Sequence, residues 1–214
     1  MEPRVRVVGI DVRWTTREGS TGKKSQDRVE VFENDGAVVV VLADGAGGMA
    51  GGELAAAMVV DAFRDAPASS VVGVLLELDR SVLKARGAGE TTAIVVAVLG
   101  DALWGASVGD SEAWLLSMDP LGDECLNEEL TCGQSRRRIG TGAALAQPFA
   151  SSAGKSRRLL IGSDGLFKYA SWAAIHRAVC LEPLDQAADA LVECVRLPSG
   201  GFRDDVSIFL GEWL

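Results

Sequence analysis

The sequence is poor in the residues that bind soft metals. Of its 214 residues one is histidine, His176. That excludes any mechanism that needs two histidines, and any histidine-rich zinc site. The four cysteines, Cys125, Cys132, Cys180 and Cys194, lack C-x-x-C spacing. The last two fall in helical patterns, where cysteine behaves as a small hydrophobe. A reduced, cytoplasmic protein is expected. Positive charge is also scarce: 21 Lys and Arg stand against 30 Asp and Glu, a net charge of −9. Phosphate backbones and anionic lipids are bound by excess basic residues, so neither nucleic acid nor membrane is expected as a partner. No apolar run reaches the ~18 residues of a membrane span. The opening "MEPRVRVVGIDV" has no secretory hydrophobic region and reads as a first strand.

What is present fits one domain over 1–214, expected to act as a monomer. Hydrophobic content of 48% and charged content of 24% suit a globular chain with a sizeable core. Short β-branched strands are expected at Arg4–Val12, Val29–Glu33 and Ala37–Ala43. Helical patterns follow at Gly52–Asp65 and Val71–Arg86, the second with Val71, Leu75, Leu78 and Val82 on one face. Strands return at Thr92–Leu99, Ala102–Val108 and Glu112–Met118. An irregular stretch, Asp119–Ser156, precedes a strand at Arg158–Gly162. Helices are expected at Ser171–Cys180 and Leu184–Val195, and a last strand at Asp205–Leu210. Helices come in pairs and strands in meanders, which is not the alternation of a parallel doubly wound sheet. The order suits an α+β fold of antiparallel sheets packed on each other, with helix pairs outside.

One device recurs. The run "VVVVLADGAGGMAGG" ends its apolar segment in Asp44, then in glycines. "LLIGSDG" ends in Asp164, and "GASVGDS" in Asp110. "GGFRDDVSIFL" sets Asp204 and Asp205 before the last strand, and "KSQDRVEVF" sets Asp27 before an early one. Asp-Gly and Asp-Ser at a strand end can be plain turn chemistry. Five such positions point instead to acids gathered at one place. Two carboxylates ~5 Å apart repel by roughly 3 kcal/mol at an effective dielectric of ~20. A cluster therefore implies bound cations or raised pKa values. Oxygen donors without His or Cys favour Mg²⁺ or Mn²⁺. The glycines after Asp44 suggest a close approach to the backbone.

The motifs "ADGAGGMAGGELAA", "GETTAIVVAV", "GDSEAWLL", "SDGLFKYAS" and "RDDVSIFL", in this order, resemble those of the metal-dependent type 2C (PPM-type) serine/threonine protein phosphatases, in particular their short bacterial members. The resemblance implies a four-layer αββα sandwich, two antiparallel sheets flanked by helix pairs. It implies hydrolysis of phosphoserine and phosphothreonine in phosphoproteins by a water activated between two Mn²⁺ or Mg²⁺ ions. Asp44 looks like the carboxylate that bridges the ions, and Gly45 like the residue whose carbonyl contacts the second. Asp164 and Asp204 resemble the remaining ligands. Asp27 resembles the early acid that holds metal-bound water, and Asp110 the acid that serves an optional third ion.

The chain also departs from that pattern. Gly22 stands where the family has a phosphate-gripping arginine; Lys23 and Lys24 follow and are the candidates to replace it, as point charges without a bidentate fork. Lys168 stands where the family has an acid, which puts a third ion in question. Ala46 and Met49 stand where members carry a histidine. These losses motivate an alternative, a catalytically weak or inactive phosphoprotein-binding regulatory module of the same fold. His176 is expected to be structural. Between "GDS" and "SDG" the chain is short and basic, with Arg136, Arg137, Arg138, Lys155, Arg157 and Arg158. The run Arg136–Arg138 is the candidate contact for a phosphorylated or acidic partner, against a solvated basic face. "SSAGKS" is not a phosphate-binding loop, because Phe149 occupies the position of the required glycine.

Overall fold

The computed structural model describes residues 4–7, 10–21, 24–46, 51–118, 127–131, 137–154 and 156–213. Its strands are β1 (Arg4–Val7), β2 (Ile10–Gly19), β3 (Arg28–Asn34), β4 (Ala37–Ala43), β5 (Ala93–Leu99), β6 (Ala102–Val108), β7 (Glu112–Ser117), β8 (Glu128–Glu129), β9 (Gln147–Ser152), β10 (Arg157–Gly162) and β11 (Val206–Trp213). Its helices are α1 (Gly52–Phe63), α2 (Val71–Lys84), α3 (Asp164–Phe167), α4 (Trp172–Val179) and α5 (Leu184–Glu193). One sheet runs β1-β2-β11-β10-β7-β8 and the other β3-β4-β5-β6-β9. Every pairing is antiparallel.

Side-chain alternation builds the layers. All seven residues of β4 are buried. Val39, Val41 and Ala43 pack with Val59, Phe63, Leu75 and Val82 of α1 and α2. Val38, Val40 and Leu42 point the other way, into the seam between the sheets, against Leu115, Leu159, Ile161 and Phe209. A strand covered on both faces has no polar side, which is why "AVVVVLA" is apolar throughout. On the far side, Leu116, Leu160, Ile208 and Leu210 pack on Ile175 and Val179 of α4 and on Leu184, Ala187, Ala188 and Leu191 of α5. The small pair Ala187 and Ala188 lets α5 lie close against the sheet. The four layers are helices, sheet, sheet, helices, as expected for the α+β sandwich. Among the described residues no helix is long and apolar enough to cross a membrane.

Three expectations need correction. Arg4–Val12 is not one strand but a hairpin, β1 paired with the start of a much longer β2. The polar pattern of β2 hides it: Arg17 pairs with Asp185 and Asp189 of α5, so its charge faces a helix rather than open water. The stretch 119–156 is not irregular throughout, because β9 pairs with β6 along its length as an edge strand that tolerates Pro148. Arg157 and Arg158 do not belong to a basic loop. They lie on β10, where Arg157 pairs with Glu128, and Arg158, fully buried, pairs with Glu212 and Glu182. Arg136 and Lys155 lie outside the described residues, as do Cys125 and Cys132; Arg137 is exposed and Arg138 half-buried.

Candidate active site

The acids named from the sequence meet where strands of both sheets end. Asp44 follows β4, and its backbone is clamped. Its carbonyl accepts from Thr92 N at 2.8 Å and from Thr91 Oγ1 at 2.9 Å. Its own N–H donates to Thr92 Oγ1 at 3.1 Å, and that hydroxyl is 2.8 Å from Ser111 Oγ. Thr91, Thr92 and Ser111 are buried. Sequence reasoning misses these three as site residues, although "ETT" and "GDS" carry them in plain view. Two adjacent threonines before a strand are the available signal.

Gly45 comes next and bridges to Thr91, which bridges in turn to Ile139. A Cβ at Gly45 would stand 2.6 Å from the backbone of Gly52 and 2.8 Å from the Gln26 carbonyl oxygen. The glycine is thus required by the chain's own backbone, which crowds here whatever else approaches.

Asp27 is 1% exposed, and its Oδ2 has no hydrogen bond of normal geometry. Burial pushes its pKa up to about 6; the Ser163 and Ser207 hydroxyls and Asp44 draw it back, while Asp205 raises it. Burial, then the charges of Asp27 and Asp164, push Asp44 up to about 9. Asp27 and Asp44 lie within hydrogen-bonding reach of each other, so the charge on one disfavours the charge on the other. Asp204 is raised by burial and then by Asp164. Ser163 and Ser207 tie the neighbouring segments together: Ser163 N donates to the Ser207 carbonyl at 2.9 Å, and Ser207 N to Ser163 Oγ at 3.0 Å.

Asp164 opens α3 and is held by Lys168, one turn on, in an ion pair. Asp110, Glu112, Asp164, Phe167 and Lys168 line a hollow of about 50 Å³. A water occupies about 30 Å³ of liquid, so this hollow suits an ion or a water or two. The buried Oδ1 of Asp110 has no partner. Among the described residues no three His, Cys, Asp or Glu side chains are arranged, as they stand, to hold a metal ion.

Lys24 is not in this cluster. Its side chain is 76% exposed and pairs with Glu53, which also takes Arg28 at 2.8 Å. Lys23 and Gly22 lie outside the described residues. Asp205 has a role the sequence does not reveal: its Oδ1 accepts from Thr21 N at 3.0 Å and its Oδ2 from Gln26 N at 3.1 Å, pinning both ends of the 21–26 segment.

No protein-family model matches the chain, and no curated relative matches it. Solved structures do. The serine/threonine phosphatase Stp1 from Staphylococcus aureus superposes with a TM-score of 0.78 over 99% of this chain and 97% of its own, at 19% identity. The catalytic domain of the serine/threonine protein phosphatase PstP, in complex with two manganese ions, gives 0.74 over 96% and 99%, at 20% identity. PppA, a regulatory component of the T6SS in Pseudomonas aeruginosa, gives 0.76 over 95% and 98%, at 18% identity. The fold is that of the bacterial serine/threonine phosphatases. The match runs nearly end to end in both directions, so the acid cluster lies within the shared architecture and not on an addition to it.

Proposed function

We propose that the chain is a PPM-type phosphoprotein phosphatase that uses Mn²⁺ or Mg²⁺ to hydrolyse phosphoserine and phosphothreonine. The observation that carries this reading is the convergence of acids from distant parts of the chain: buried Asp27 lies in side-chain contact with half-buried Asp44, and Asp110, Asp164 and Asp204 stand close by. Such a cluster is unfavourable for a purely structural role, because buried acids without a cation must either repel or hold protons.

The donors suit a hard divalent cation in kind. Asp44, the Gly45 carbonyl, the unpartnered Asp27 Oδ2 and Asp110 Oδ1 are all oxygens. Asp164 and Asp204 complete the proposed ligand set, with Asp164 released from Lys168. When bound, two such ions supply positive charge that acidifies a water and polarises the phosphoryl oxygens. Asp27, whose Oδ2 has no other partner among the described residues, would accept a hydrogen bond from a water held there. The Thr91–Thr92–Ser111 clamp fixes the Asp44 backbone, so that its carboxyl does not reorganise during the reaction. The Ser163–Ser207 link keeps Asp164 and Asp204 in register. Arg136–Arg138 is proposed to meet negative charge on the phosphoprotein, in place of Arg157 and Arg158, which lie on β10 and are paired with acids.

The test is hydrolysis of p-nitrophenyl phosphate with Mn²⁺, with Mg²⁺ and with EDTA, beside Asp44→Asn and Asp164→Asn. Metal-dependent turnover lost in both variants supports the reading. No turnover, with Mn²⁺ binding still visible by calorimetry, overturns it in favour of a binding module.

A further inference from the structure

A second hollow adjoins the acid pocket. It has a volume of about 300 Å³ and is lined by Trp114, Asn127, Trp172 and His176. Trp172 is 44% exposed although it stands at the start of a helix packed on the sheet. Its ring meets Trp114 edge to face at 4.3 Å, and the Phe167 ring lies 5.9 Å away. Phe167 also lines the acid pocket, so the aromatic surface is continuous with it.

Among the described residues, the carboxylates of Glu112 and Glu129 border this surface. Trp114 Nε1 donates to Glu112 Oε2 at 2.8 Å, and Glu112 lines the acid pocket too. Glu129 sits opposite Trp114 in the β7–β8 ladder. Glu129 and Asp110 are both near enough to act on the Glu112 charge. Lys168, the one cation among the described residues that line the acid pocket, is already paired with Asp164. His176 Nε2 is buried with no partner. Indole faces bordered by carboxylates attract cations. The chain's net charge of −9 works in the same direction.

We propose that this groove takes an arginine or lysine side chain of the phosphoprotein substrate while the phosphorylated residue occupies the acid cluster. The proposal rests on the phosphatase reading for its substrate, though the groove can be tested without turnover. Phosphothreonine peptides carrying a single Arg, Leu or Glu at each neighbouring position are compared by kcat/KM, each divided by the same enzyme's rate on p-nitrophenyl phosphate. The unphosphorylated Arg and Glu peptides are also titrated against the intrinsic tryptophan fluorescence.

At one position Arg is expected to exceed Glu about tenfold, with Leu between, and the Arg peptide to shift the fluorescence at lower concentration. Trp172→Ala, which keeps the charge, and Glu112→Gln, which keeps the shape, should each bring the ratio close to one; far-ultraviolet circular dichroism checks that both fold. Equal kcat/KM for Arg and Glu, preference for Leu, or an Arg preference that survives Trp172→Ala overturns the proposal. If neither the wild-type protein nor any variant turns over p-nitrophenyl phosphate, the phosphatase reading falls separately, and the fluorescence titration decides the groove: Arg binding no tighter than Glu binding overturns it.

Discussion

Lys168 holds the Asp164 carboxylate in an ion pair across a single helical turn. Burial alone would lower the pKa of this lysine, but Asp164 first, then Asp110 and Asp204, outweigh it and raise it. The ammonium therefore occupies the side of the cluster where a divalent ion would compete for the same carboxylate. A single charge ~5 Å from a divalent ion opposes it by about 1.7 kcal/mol even at the dielectric of water. Lys168→Met should therefore bind Mn²⁺ at least about tenfold more tightly by isothermal titration calorimetry. An unchanged affinity would mean that the side chain leaves for solvent at no cost.

The acid cluster also sets how stability without metal depends on pH. Asp44 is raised to about 9, Asp27 to about 6, and Asp204 is raised as well. An unfolded aspartate titrates near 3.9. Between about pH 4 and pH 9 these groups bind more protons in the folded chain than in the unfolded one, so the stability they contribute falls as pH rises. In EDTA the melting temperature should drop steadily from about pH 5 to about pH 9. Mn²⁺ at ~100 times its Kd should add roughly 2.7 kcal/mol, or about 5–10 °C for a domain of this size, and flatten the slope. A melting temperature that rises with pH in EDTA would count against the Asp27–Asp44 pair.

The parts of this arrangement legible in the sequence are those set by local composition. Ala37–Ala43 and Ala102–Val108 are bounded correctly because each is an apolar run closed by turn residues. The acids are visible because each ends or begins such a run. What stays hidden depends on distant partners. Nothing near Arg158 in the chain announces Glu212, and nothing near Asp205 announces Thr21 and Gln26. β2 is obscured because the charge of Arg17 is met by α5, and β9 because a proline lies inside it.

Asp79 shows how far support for the site extends. It lies on α2, buried, and takes three backbone N–H groups: Gly140 at 2.8 Å, Gly142 at 3.0 Å and Ala144 at 3.1 Å. The loop so held continues from Ile139, which pairs with Thr91, which in turn holds the Asp44 carbonyl. Asp79→Ala strands three donors. It should cost about 3 kcal/mol in urea unfolding, since hydrogen bonds to a charged group contribute about 1.5–3 kcal/mol each and are not additive. Mn²⁺ affinity should weaken in the same variant. Loss of stability with Mn²⁺ affinity unchanged would confine Asp79 to packing.

Arg158 carries a positive charge whose role is structural. It is fully buried, donates from Nε to Glu212 at 2.7 Å, and caps the carbonyl of Leu181 at 2.7 Å. Removing one partner of a buried ion pair costs about 3–5 kcal/mol, because the other charge is left uncompensated. Arg13 also reaches Glu212 and offsets part of that loss. Arg158→Met should therefore lower stability by about 3 kcal/mol in urea, the lower end of that range. The protein that remains folded should show an unchanged KM for a phosphopeptide, because the side chain has no exposed surface to offer a substrate. Neutralising Arg137 and Arg138 should do the opposite for the substrate, raising KM for the phosphopeptide. A phosphopeptide KM that rises in Arg158→Met, at a temperature well below its melting point, would show that β10 contributes to the substrate surface after all.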